Sequence, residues 1–182
     1  MSKSRLHISA GAVLAAALLF FFMDTATLWA IALPVAAHEL GHVIALRLLG
    51  LRIRGFRAEL KGLCIDYCGF CGTAGHLFAA AAGPVAGLLY AFAASYWAKL
   101  FQNDTAALSA GISLLLSLFN LLPVLPLDGG RIFFLAVDAV SLLIFKRKVP
   151  EKYQAAVNTA GFVVLMGFML LVTFHDVFKL FQ

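Results

Sequence analysis

Long runs without a charged side chain dominate this sequence, separated by short polar stretches. Four of them are Leu6–Met23, Tyr67–Ala98, Thr105–Leu127 and Tyr153–His175. Thr25–Leu46 makes a fifth once one polar motif inside it is set aside. Each is near or above the ~20 residues a helix needs to cross ~30 Å of hydrocarbon. A shorter run, Ile132–Phe145, carries Asp138. The pattern predicts an all-α polytopic membrane protein of about six transmembrane helices, with Ile132–Phe145 as the fifth.

The segments between the runs have their own signatures. After Gly50, residues 51–66 partly alternate polar and apolar positions and are broken by glycines. A two-residue period of this kind predicts an amphipathic hairpin at the membrane surface after the second span. Its exposed strand edge offers a pairing site for an extended peptide. Pro34 lies inside the second run and predicts a kink there. Alanines and glycines crowd Ala79–Gly87 in the third run, where small side chains let helices approach closely. The fourth run ends in Asn120-Leu-Leu-Pro-Val-Leu-Pro-Leu-Asp-Gly-Gly-Arg131. Two prolines and a glycine pair cannot continue a regular helix. Irregular backbone at this depth survives only where protein or water satisfies it, so a broken helix or turn carrying Asp128 is expected to face the interior.

Composition agrees with the pattern. The 182 residues are 63% hydrophobic and 13% charged, against about 25% charged in soluble domains. The first run, preceded by Lys3 and Arg5, reads as a retained signal anchor because no clear small-x-small cleavage site follows it. The net charge of +5 comes mostly from residues flanking the spans. No basic stripe interleaved with aromatics lies outside the apolar runs, so a nucleic-acid partner is not expected. Lys3, Arg5, Arg47, Arg52, Arg54, Arg57 and Lys61 put the N-terminus and the loop after the second span in the cytoplasm. Six spans return the C-terminus, with Lys179, to the same side. Lys146-Arg147-Lys148 falls outside on this count, and the two earlier clusters outweigh it.

The polar motif inside the second run is His38-Glu39-Leu40-Gly41-His42. On a helix the two imidazoles stand roughly 40° apart around the axis. Both can hold one zinc ion while the intervening Glu39 acts on water at the metal. An ionisable group at bilayer depth costs about 2.5–3.5 kcal/mol on the translocon-insertion scale, so these residues need a function. A catalytic zinc takes three protein ligands. Most carboxylates lie at span ends; Asp128 follows a long apolar run beside glycines that free its backbone. Asp138, on a helix without a breaker beside it, is the competitor. Asn120 is a candidate for supporting the substrate or transition state, or for hydrogen bonding between helices.

These two motifs resemble those of the site-2 protease family of intramembrane zinc metalloproteases. His38–His42 matches its first motif, and Asn120 through Asp128-Gly129-Gly130 its second. Gly83-Pro84 resembles its small central motif. The nearest likeness is to the compact six-span branch typified by stage IV sporulation protein FB. The resemblance implies one zinc per chain on His38, His42 and Asp128, with Glu39 catalytic. It implies a single metalloprotease domain over residues 1–182 in a prokaryotic cytoplasmic membrane, its active site towards the cytoplasm. It also implies a membrane-associated protein substrate, such as a transcription factor precursor or an anti-sigma factor, with a membrane inhibitor or regulatory protein as a candidate partner. Two departures stand out. Family members often carry Asn where this chain has Gly87, and neither a nucleotide-sensing CBS domain nor a PDZ insertion is expected.

Other residues have plainer readings. Cys64, Cys68 and Cys71 read as small apolar residues on a surface segment, kept reduced on a cytoplasmic loop. His7 and His175 read as interfacial and His76 as structural. Phe20-Phe21-Phe22 and Phe133-Phe134 read as lipid-facing or core residues. The rival to a protease is a metal-cation transporter or a non-proteolytic membrane adaptor, since intramembrane histidines and acids also line cation paths.

Overall fold

A computed structural model describes residues 5–59, 62–124, 127–145 and 151–180. They fall into two compact units, Met1–Asn120 and Leu121–Gln182.

The first unit contains β1 (Arg5–Ile8), α1 (Ala10–Phe22), α2 (Thr25–Leu48), β2 (Arg52–Glu59), β3 (Gly62–Cys68), α3 (Thr73–Phe101) and α4 (Asp104–Asn120). The expected hairpin is present: β2 and β3 pair antiparallel from Arg52↔Cys68 to Glu59↔Gly62, with an irregularity between Ile53 and Gly55. It belongs to a three-stranded sheet, because β1 runs parallel to β2 in the register Arg5↔Gly55 through Ile8↔Ala58.

That third strand changes the first predicted span. Residues 6–8 of the Leu6–Met23 run lie in β1, and the Ser9 amide donates to the Ala58 carbonyl at 2.9 Å. Ser9 then caps α1, its hydroxyl accepting from the Ala12 amide at 3.2 Å. The helix that remains has 13 residues, about 20 Å at 1.5 Å per residue. That is shorter than the ~30 Å hydrocarbon thickness. No residue of α1 is buried, and Phe20, Phe21 and Phe22 are among its most exposed side chains.

Among the described residues, α2 and α3 are long and apolar enough to cross a membrane, while α1 and α4 are shorter apolar helices. The molecule is mostly helical with a small sheet. Asp24 caps α2 by accepting from the amides of Ala26 and Thr27. The helix continues through Pro34, which is buried.

Small residues set how closely the helices approach. The buried face of α2 is Ala30, Pro34, His38, Gly41 and Ala45, spaced by three or four residues. Ala79, Gly83, Gly87 and Ala91 lie on the buried face of α3, and Ser109, Ala110, Ser113 and Ser117 on that of α4. A Cβ on Gly41 would overlap the Ala82 carbonyl and come within 2.6 Å of Ala86 Cβ. Small side chains let the helix backbones approach this closely. Ala45, Leu46, Leu51 and Ala79 form the buried cluster joining the end of α2 to α3, with Ile65 and Cys71 against it.

The second unit contains α5 (Asp128–Phe145) and α6 (Glu151–Leu180). Ahead of α5 the chain turns, with the Val124 amide donating to the Leu122 carbonyl at 2.7 Å and the Leu127 amide to the Val124 carbonyl at 2.9 Å. The break falls where the prolines predicted it. Asp128, however, is not on the unwound stretch: it is the first residue of α5, which begins ahead of the expected Ile132. Gly129 and Gly130, taken for turn residues, are buried in the first turn of that helix. A Cβ on Gly129 would overlap the Leu121 and Leu122 carbonyls, so the glycine serves close packing on the turn rather than the turn itself. Lys146-Arg147-Lys148 lies outside the described residues.

Candidate metal centre

The centre is built on one face of α2. The four-residue spacing of His38 and His42 brings their Nε2 atoms to 3.3 Å, with ring centroids 5.0 Å apart. His38 is buried, at 4% exposure, and His42 is half-buried. The Nδ1 atom of His42 donates to the Ala79 carbonyl of α3 at 2.8 Å. A backbone carbonyl only accepts, so Nδ1 carries the proton and Nε2 keeps its lone pair. A bond of this type orients a ligating imidazole and raises its basicity.

The spacing of the two nitrogens fits a shared metal. Two ligands bound tetrahedrally at about 2.0–2.1 Å stand roughly 3.3–3.4 Å apart. The ring nitrogens are at that separation. The neighbouring helix makes room for them: a Cβ on Gly83 would overlap the His42 imidazole, and one on Gly87 would lie 3.6 Å from His38 Nδ1. The small-residue stripe of α3 is therefore part of the centre.

Glu39 is half-buried on α2, about 100° around the axis from His38. Asn120 ends α4, and its amide donates to the Leu116 carbonyl of its own helix at 3.0 Å. Asp128 heads α5 and is half-buried, and Asp138 lies further along that helix, also half-buried. His76 stands 3.5 Å from the Tyr67 hydroxyl, while His7 and His175 are exposed. Cys64, Cys68 and Cys71 are reduced and half-buried. Among the described residues they join no metal-binding group.

Sequence reasoning found the two imidazoles and singled out Gly83 and the small residues of Ala79–Gly87, but it missed that the Ala79 carbonyl orients His42, that Gly83 makes room for its ring, and that α4 buries serines. A signal was present in the four-residue recurrence of Ala79, Gly83 and Gly87, which matches the spacing of His38 and His42.

Residues 99–168 match the model of Peptidase family M50. The fold resembles the site-2 protease from Methanocaldococcus jannaschii with a TM-score of 0.70 at 20% identity, over 95% of this chain and 83% of that one. The Clostridium perfringens protein CPE1693 is 45% identical over 80 residues, covering 44% of this chain and 23% of its own. The zinc metalloprotease RasP of Shouchella clausii is 40% identical over 74 residues, 41% of this chain and 17% of that protein. The chain thus spans less than a third of the length of the curated relatives it matches.

Proposed function

We propose that this chain is an intramembrane zinc endopeptidase that cuts a membrane-associated protein within or beside its membrane segment. His38, His42 and Asp128 hold the zinc in this reading. The observation that carries the proposal is the pair of Nε2 atoms 3.3 Å apart on α2, with His42 already oriented by a carbonyl. Two imidazoles and a carboxylate suit zinc and complete the three protein ligands of a catalytic site.

A zinc ion held there supplies Lewis-acid character, polarising a peptide carbonyl and acidifying water. Glu39 accepts the proton released by the attacking water and returns it to the departing amine. Asn120 supports the substrate or the transition state at the end of α4. A transmembrane substrate must unwind near the cut, because helical hydrogen bonds shield its carbonyls. The sheet suits that need: β2 is its central strand, and β3 presents an outer edge to which an extended peptide can add.

Six spans, with the sheet and both termini on the cytoplasmic side, complete the reading. It is supported by the exposed Arg52, Arg54 and Arg57 of β2. A membrane-tethered transcription factor precursor or anti-sigma factor has the required substrate chemistry.

The test uses the purified chain in detergent with single-span membrane peptides that carry helix-breaking residues. Glu39→Gln is expected to retain zinc and lose cleavage. Normal proteolysis by that variant overturns the assignment of the base. Zinc flux into proteoliposomes without peptide cleavage by the wild type favours the transporter reading instead.

A further inference from the structure

The buried face of α4 carries three serines four residues apart, Ser109, Ser113 and Ser117. The first two have partners on α3. Ser109 Oγ lies 2.8 Å from the Tyr90 hydroxyl, and Ser113 Oγ donates to the Gly87 carbonyl at 2.8 Å. Ser117 differs. It is completely buried, and its hydroxyl has no hydrogen-bond partner among the described residues. A buried hydroxyl without a partner is costly, and alanine would fill the same face without that cost.

Position 87 shows what lies nearby. A Cβ on Gly87 would overlap Ser117 Oγ and would sit 3.6 Å from His38 Nδ1. The gap left by the missing side chain is thus bordered by the serine hydroxyl and by the outer ring nitrogen of His38. The inner nitrogen, Nε2, faces His42. The equivalent outer nitrogen of His42 donates to the Ala79 carbonyl.

We propose that Ser117 is the positioning residue for His38. The bond is not made in this structure; when Nε2 binds metal, the hydroxyl turns to accept the Nδ1–H across the gap that Gly87 keeps open, fixing the tautomer in which Nε2 is the ligand. The two imidazoles are then oriented by different helices, His42 by a carbonyl of α3 and His38 by a hydroxyl of α4. The assignment rests on the zinc reading above, and it gives a role to a serine otherwise buried at a cost.

Zinc affinity of the full chain in detergent, measured by competition with a chromophoric chelator, tests it. Ser117→Ala is expected to keep the site but bind zinc about 10–100-fold more weakly. Gly87→Ala, whose Cβ collides with the hydroxyl, is expected to lose a similar factor. The double variant is expected to lose no more than Ser117→Ala alone, because both changes remove the same bond. Thermal unfolding of metal-free protein separates this role from packing. A serine that serves only packing lowers the metal-free and zinc-loaded transitions alike and leaves affinity untouched, and that result overturns the assignment. A wild-type chain that takes up no zinc overturns the zinc reading and this one with it. A zinc-binding wild type beside an unaltered Ser117→Ala overturns the serine assignment alone.

Discussion

The helices α2, α3 and α4 and the sheet β1–β3 lie in the same compact unit and use polar groups in opposite ways. On the buried faces of the helices polar atoms are few, and three of them are held in fixed places: His42 on the Ala79 carbonyl, Ser113 on the Gly87 carbonyl, Ser109 on Tyr90. On the sheet they are plentiful and wet. Arg52 and Arg54 are exposed, and the Arg57–Asp66 ion pair, 2.8 Å long, leaves its side chains 47% and 45% exposed. The contrast separates placed polar groups from solvated ones. The helices position a few expensive groups to within the radius of a methyl, whereas the sheet carries charges that water already satisfies.

If that contrast is right, the largest effect should come from the smallest addition. Gly83→Ala places a methyl on the His42 imidazole; we expect bound zinc to be lost and stability to fall by about 1–3 kcal/mol, the usual cost of overpacking. Metal analysis and thermal unfolding of the detergent-solubilised chain read both. Ser113→Ala removes one buried bond to the Gly87 carbonyl and should cost about 1 kcal/mol in the same unfolding assay, with zinc retained. Arg57→Ala should cost about 0.2–1 kcal/mol, less at high salt, and leave zinc binding unchanged. A sheet variant that strips the metal would break the comparison.

The smallest effect sharpens it by pH. Asp24 is held below the ordinary carboxylate range first by the Thr27 hydroxyl, then by the amides of Thr27 and Ala26. Its folded value is depressed, so its stabilisation of α2 is present above the ordinary carboxylate value. That stabilisation is lost as pH falls through the lowered one. The gap in melting temperature between wild type and Asp24→Ala should therefore close in acid.

What the sequence revealed was local. The imidazole pair follows from the helical repeat alone, and the β2–β3 hairpin follows from alternation and glycine breaks within one short segment. What it hid was non-local or ambiguous. Arg5–Ile8 pairs with a strand some fifty residues away, and a hydropathy run cannot distinguish that from the start of a span. Gly129-Gly130 reads as a turn in isolation, yet the pair lies in the first turn of α5 because Gly129 must pass close to the Leu121 and Leu122 carbonyls. Ser117 sits in an apolar run as one more small residue; only the packing of α4 beside Gly87 and His38 gives it a meaning.

One measurement bears most directly on the metal centre: zinc K-edge X-ray absorption of the purified wild-type chain. The account predicts a shell of nitrogen and oxygen at about 2.0–2.1 Å with the multiple scattering of two imidazoles and no sulfur. A sulfur shell at about 2.3 Å, from Cys64, Cys68 or Cys71, or a spectrum without imidazole scattering, would contradict it.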